Sequence, residues 1–215
     1  MDASGYEQWY ATPRGRWIGE RELTLIHRLL APRPEESLLD VGCGTGYFTR
    51  GLAAGLTGPI YGLDIATDWV AYAQQHHAAG IQWLAGDARA LPIRDDSVDL
   101  AISITALCFV DEERRAVREL VRTARRRVAI GLLNRRSLLW WQKGRHGGSG
   151  AYTGARWHSP RDALVLFQGL PVRNVRMQSA IWLPGGGGFA RWSETLWLRR
   201  LHAGAFLLVV ADVAS

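Results

Sequence analysis

Residues 38–46 read Leu38-Leu39-Asp40-Val41-Gly42-Cys43-Gly44-Thr45-Gly46. A short apolar run, Ser37–Val41, has the make-up of a buried strand. It ends in glycines at alternate positions and enters a small-residue stretch, Thr45–Gly55, that reads as a helix closed by Gly55. Glycine allows a tight turn and lets a ligand lie against the backbone. The open amides at a helix start favour a negative or polar group. Such a loop alone is weak evidence, but it is joined by Asp64, at the end of the next apolar run, Pro59–Leu63. A carboxylate there suits contact with both hydroxyls of a ribose. The combination points to a nucleoside cofactor. The dinucleotide fingerprint wants a further glycine three residues after its second. Tyr47 stands there, too bulky for close packing of helix on strand, which makes a nicotinamide dehydrogenase the weakest reading.

Outward from this loop, strands and helices alternate. Helix Ala66–Ala79 stops at Gly80, and strands follow at Ile81–Ala85 and Val98–Ile104. Then come helix Glu112–Ala124 and strand Val128–Leu133. This rhythm predicts a parallel sheet covered on both faces. Ser159 and Pro160 have the N-cap and first-turn signature of a helix running to Gln168. Two more strands are expected near Asn174–Ile181 and Ala205–Val210. Two glycine-containing segments, Asn134–His158 and Leu183–Ala203, break the rhythm as long loops, and such loops are usually functional or mobile. Before the core lie an aromatic stretch with Tyr6, Trp9 and Tyr10, then Arg16 and Trp17, and a helix from Gly19 to Leu30.

At this point the chain resembles the class I S-adenosylmethionine-dependent methyltransferases, in particular their small-molecule, type 11 branch. The pattern is Asp-x-Gly-x-Gly-x-Gly, and the likeness covers residues 36–133, more weakly beyond. The resemblance implies an α/β, Rossmann-like three-layer sandwich: a mostly parallel seven-stranded sheet with its last strand antiparallel and helices on both faces. It implies one domain over 1–215, with an N-terminal segment 1–33, a cofactor core 34–133, and acceptor-side loops and last strands in 134–215. It assigns the methionine part of S-adenosylmethionine (product S-adenosylhomocysteine) to Gly42, Cys43 and Gly44, with Asp40 beneath, and the ribose to Asp64. Ile65 would pack on adenine, while Asp87 and the Ala88 amide would read the adenine edge. Ser103 and Thr105 would face the amino group and the transferred methyl. In some members an aromatic N-terminal segment folds over the cofactor, which gives Tyr6, Trp9 and Arg16 that role; the competing view makes the segment a structural anchor. The Pro-Gly-Gly turn common before the fifth strand is replaced by Thr123-Ala-Arg-Arg-Arg127, which alters a turn away from the cofactor.

No residue identifies itself as a catalytic base. His146, Tyr152 and His158 are weak candidates in the first long loop, and His76 and His77 fall within the expected helix Ala66–Ala79. Cys43 and Cys108 are expected to be small buried hydrophobes, and no metal-ligand spacing is present. Of the ten Trp in the sequence, Trp69 and Trp83 fall in the core repeat. Trp9, Trp17, Trp140, Trp141, Trp157, Trp182, Trp192 and Trp197 fall in or beside the N-terminal segment and the two long loops. They are read as walls of an apolar or aromatic acceptor pocket, or a cation–π cage for an amine, against the alternative of simple packing.

The 215 residues are 47% hydrophobic and 21% charged, ordinary for a globular domain. The net charge is +6, nearly all of it Arg. Arg114, Arg115, Arg118 and Arg122 lie opposite Ala116, Val117, Leu120 and Val121, as on the solvated face of an amphipathic helix. With no aromatic-basic module, a nucleic-acid partner is not expected. No apolar run is long enough to span a bilayer, and Met-Asp-Ala-Ser at the start lacks a secretory signature, so a cytoplasmic enzyme is expected. The leading reading is methyl transfer to a small molecule. Transfer to RNA or protein, and non-catalytic S-adenosylmethionine binding, are the alternatives.

Overall fold

The computed structural model describes residues 2–76, 80–188, 190 and 202–214. Seven strands form one sheet in the order β3-β2-β1-β4-β5-β7-β6. They are β1 (Leu38–Val41), β2 (Ile60–Asp64), β3 (Ile81–Ala85), β4 (Val98–Ile104), β5 (Ala124–Leu133), β6 (Val172–Ala180) and β7 (Phe206–Val213). β1 to β5 run parallel, and β7 runs antiparallel between β5 and β6. This is the Rossmann-like sheet expected from the sequence.

The strand order reverses at β1, whose neighbours are β2 on one side and β4 on the other. Asp40 therefore lies between Gly62 and Ile102. In open parallel sheets a crevice forms beyond the carboxyl ends of strands at such a switch point. Asp64, Gly86 and Thr105, at or just after the ends of β2, β3 and β4, share that edge with the glycine loop. The central strands are mostly apolar, as burial on both faces requires, with Asp40 and Ser103 as buried polar exceptions. Leu38, Leu39, Val41, Leu63, Leu100 and Ile102 are all fully buried.

Around the sheet lie α1 (Ala3–Ala11), α2 (Pro13–Leu30), α3 (Tyr47–Ala53), α4 (Thr67–His76), α5 (Glu113–Thr123) and α6 (Pro160–Val165). The N-terminal segment departs from expectation. It is two helices, and α2 starts at Pro13 rather than Gly19. The cause is a cap: the Thr12 hydroxyl accepts from Gly15 N at 3.0 Å, with Pro13 in the first turn. This is the signature that also starts α6, where Ser159 and Asp162 form a capping box. α6 is shorter than expected and ends at Val165.

β5 begins at Ala124, four positions before the expected start, because α5 passes into it without a separate turn. The three arginines at this junction are pinned. Arg125 pairs with Asp99, Arg126 with Glu36, and Arg127 with Asp212. On α5, Ala116, Val117, Leu120 and Val121 are buried as the helical pattern requires. The first long loop is not structureless, since Trp140–Gly144, Arg145–Gly147 and Gly150–Tyr152 each form a short helical turn. His77, Trp192, Trp197 and most of the second loop lie outside the described residues.

Candidate active site

The glycine loop is held in shape by the strand beside it. Gly42 N and Cys43 N both donate to Leu63 O, at 2.6 and 3.0 Å. Gly42, Gly44 and Gly46 have φ of 76°, 56° and 86°, the left-handed region that other residues enter at a cost. A Cβ at Gly42 would strike the Ala106 side chain, and one at Gly46 would strike Trp83. The Asp64 carboxylate closes the loop: Oδ2 accepts from Gly44 N at 2.8 Å and Oδ1 from Ala66 N at 2.9 Å.

Beneath the loop Asp40 is 1% exposed. Its Oδ2 accepts from Thr49 Oγ1 at 2.7 Å, while Oδ1 has no partner among the described residues. Burial pushes this carboxyl up to about 7, against the Thr49 hydrogen bond and helped by the nearby Asp64 charge. The Ser103 hydroxyl is also fully buried and unpartnered among the described residues. Asp87 is tied to Arg89 through both carboxylate oxygens, with a shortest contact of 2.7 Å. These hydrogen bonds hold its pKa down at about 2. Thr105 adopts φ 58°, and its amide donates to Gly131 O at 2.8 Å.

Asp40, the Gly42–Gly44 stretch, Asp64, Asp87, Ser103 and Thr105 surround one cavity of about 820 Å³. Of the residues singled out in the sequence, Tyr6, Trp9, Asp40, Gly42, Cys43, Gly44, Asp64, Ile65, Asp87, Ala88, Ser103, Thr105 and Tyr152 line it. Three others do not. Arg16 is exposed on α2 and, among the described residues, its side chain reaches only Ala11 O. His146 is exposed in a turn at φ 55°. His158 is 2% exposed, and its Nε2 lies 2.9 Å from Glu113 Oε2. Its backbone amide donates to Leu133 O, so it fastens the loop to β5 and α5.

The aromatic wall also differs from expectation. Of the described loop and N-terminal tryptophans, only Trp9 lines the cavity, joined by Trp69 from α4. Trp17 and Trp157 are core residues, 7% and 8% exposed, and Trp141 faces outward at 62%. Packing, not a tryptophan cage, accounts for Trp17 and Trp157, and Trp141 belongs to neither the core nor the cavity wall. Tyrosines take the place instead: Tyr6 and Tyr10 from α1, Tyr47 from α3, and Tyr152. Tyr10 stacks on Tyr47 with ring centroids 3.6 Å apart, and the Tyr6 and Tyr10 hydroxyls are 3.1 Å apart. Tyr47, which breaks the dinucleotide fingerprint, thus points to the N-terminal helices, where a Cβ at Gly19 would strike its ring.

Sequence reasoning missed Arg14, Ile18 and Glu22, which contribute one face of α2 to the cavity. Their spacing of four was the available signal. It also missed Glu7, which fixes α1 over the glycine loop. Glu7 accepts from Thr45 Oγ1 at 2.6 Å and pairs with Arg50 at 2.9 Å. Both thiols are buried, and burial pushes Cys108 up to about 12 and Cys43 higher still, so neither is a nucleophile.

Comparison with known proteins matches residues 39–130 to the type 11 methyltransferase domain family. A malonyl-[acyl-carrier protein] O-methyltransferase of Pectobacterium atrosepticum is 39% identical over 112 residues, which is 50% of this chain and 43% of that protein. A 2-phytyl-1,4-naphtoquinone methyltransferase of Synechocystis is 36% identical over 106 residues, 45% of this chain and 44% of that protein. The chain therefore spans less than half the length of these curated relatives. Among solved structures, a Thermotoga maritima S-adenosylmethionine-dependent methyltransferase, described as a possible histamine N-methyltransferase, superposes with a TM-score of 0.78 at 24% identity. The match covers 97% of this chain and 94% of that one.

Proposed function

Since residues 39–130 match the type 11 methyltransferase domain family, we propose that the chain binds S-adenosylmethionine and transfers its methyl group to a small molecule held in the same cavity. The observation that carries this reading is the closed unit of the Gly42–Gly46 loop and Asp64 at the mouth of the crevice. The buried acceptors beneath the loop, Asp40 Oδ1 and Ser103 Oγ, have no partner among the described residues. They suit the ammonium of an amino acid moiety. Asp64 would take the ribose hydroxyls, Ile65 the face of the adenine, and the Ala88 amide its edge. Asp87 is bound to Arg89, so its part in adenine recognition depends on the lone pairs Arg89 leaves free.

When bound, the cofactor supplies an activated methyl on a sulfonium. The protein must orient an acceptor and exclude water. α1 serves exclusion, since Glu7 fastens it across the glycine loop and Tyr6 and Trp9 face the cavity. A small acceptor is favoured over a polyanion because the arginines at the start of β5 are engaged in ion pairs and none of those three lines the cavity. Calorimetry with S-adenosylhomocysteine and with NAD tests the reading. Binding of the first and not the second is expected, and the reverse would overturn it.

A further inference from the structure

Glu22 is an ionisable side chain on the cavity wall that this cofactor assignment leaves unused. It stands in the middle of α2, on the face that carries Ile18 before it and the fully buried Ile26 after it. It is 9% exposed and lines the cavity. Among the described residues no hydrogen bond or ion pair reaches its carboxyl, and burial alone pushes it up to about 8. A buried carboxyl without a partner costs stability, and an aliphatic residue would serve this helix face better. The position therefore calls for a ligand.

The surroundings define that ligand. Glu22 raises the pKa of Tyr6 and Tyr10 on α1, Tyr47 on α3, and Tyr152 in the loop after β5. It is thus within electrostatic reach of four phenols, all held above the usual phenol range and uncharged at neutral pH. The electron-rich faces of such rings favour a cation. Among the described residues three cations line the cavity, Arg14, Arg89 and Lys143, and none of them pairs with Glu22: Arg14 is exposed with its Nε 2.7 Å from Pro184 O, Arg89 pairs with Asp87 at 2.7 Å, and Lys143 is exposed. Asp64, at the glycine loop, helps to raise Asp40, whereas burial is what raises Glu22.

We infer that Glu22 is the acceptor-recognition residue, pairing with the ammonium group of an amine whose hydrocarbon part packs among Tyr6, Tyr10 and Tyr152. The inference rests on the methyl-transfer reading and narrows its acceptor to the amines. Near neutral pH the empty site holds Glu22 as the acid. An arriving ammonium leaves a carboxylate–ammonium pair and sends the Glu22 proton to solvent, so binding releases one proton.

The test uses 2-phenylethylamine, the near-isosteric 2-phenylethanol, and phenylacetate as probes. They are titrated calorimetrically into the full chain with and without S-adenosylhomocysteine, in buffers of different ionisation heat. The wild type is expected to bind the amine at least about tenfold tighter than the alcohol and to bind phenylacetate weakest, with proton release at pH 7. That factor corresponds to roughly 1.4 kcal/mol. Glu22→Gln should lose about tenfold or more for the amine, while the alcohol and S-adenosylhomocysteine change by less than about twofold. Glu22→Asp, which keeps the charge, should keep the preference, and it carries the test if Glu22→Gln does not fold. An amine that binds no better than the alcohol, an amine preference that survives Glu22→Gln, or tightest binding of phenylacetate would overturn the inference. So would a Glu22→Gln loss confined to S-adenosylhomocysteine. If the wild type prefers the amine yet fails to bind S-adenosylhomocysteine, the cofactor reading falls and the amine site stands.

Discussion

At Asp64 one carboxylate meets two demands, fixing the glycine loop through Gly44 N and Ala66 N while facing the cavity. Asp64→Ala is expected to weaken S-adenosylhomocysteine binding by about 2–3 kcal/mol, the range for losing charge-assisted hydrogen bonds. An unchanged dissociation constant in a folded variant would remove Asp64 from the cofactor site. Asp40 gives a pH dependence. Its carboxyl is pushed up to about 7, and a cationic ligand group binds its ionised form. Affinity for S-adenosylhomocysteine should therefore fall as pH drops below 7, by up to about tenfold per pH unit; a flat profile between pH 8 and 6 would contradict the ammonium contact. Glu22 acts on stability. Its folded pKa of about 8 lies above the ordinary 4.5, so the unfolded chain loses this proton first. Stability should decline from about pH 4.5 through 8. Glu22→Gln removes that decline and should melt higher at pH 8.5, on the order of 5 °C, with little difference near pH 5. Equal melting temperatures at pH 8.5 would show that the carboxyl is solvated. Asp64 was readable from its place after the glycine loop. Glu22 was not, because an isolated Glu in an amphipathic helix is ordinarily on the solvated face, and only the tertiary position of α2 buries it.

α1 and α2 show what local pattern leaves out. The cap at Thr12 and the proline after it are a helix-start signal that the expected start at Gly19 passed over, and the aromatic run before them reads equally as a loose arm. Its helical form depends on Tyr10 stacking on Tyr47 and on Glu7 meeting Thr45 and Arg50, contacts with residues far along the chain. Tyr10 is 7% exposed, so α1 is anchored and also covers the cavity. Deleting residues 1–11 should lower cofactor affinity more than it lowers the melting temperature, because the sheet from Leu38 onward does not include α1. A large fall in melting temperature with normal cofactor binding would make α1 an anchor only. The loop after β5 shows the same limit. Its glycines suggested openness, but His158, buried against Glu113, fastens its end. Strand positions were far more legible, since β3 and β4 fall where alternation and turn residues put them.

Across the whole molecule, the sheet order places every feature of the glycine-loop motif at one edge. The order reverses at β1, and the ends of β1, β2, β3 and β4 gather Asp40, Asp64, Gly86 and Thr105 around a single cavity. The alternation of strands and helices announced a parallel sheet, and the resemblance to the methyltransferase family implied that these residues share one site. The composition of the wall did not follow, because tryptophan abundance in loops says nothing about which rings face inward. Tyrosines from α1, α3 and the loop after β5 take that place, with Trp9 and Trp69. The central claim is that this cavity is built for S-adenosylmethionine and not for a dinucleotide. The most direct measurement is calorimetric titration of the full chain with S-adenosylhomocysteine and, separately, with NAD at pH 7.5. Saturable binding of S-adenosylhomocysteine with one site per chain, and no heat with NAD, is the predicted result. Binding of NAD without binding of S-adenosylhomocysteine would contradict the account.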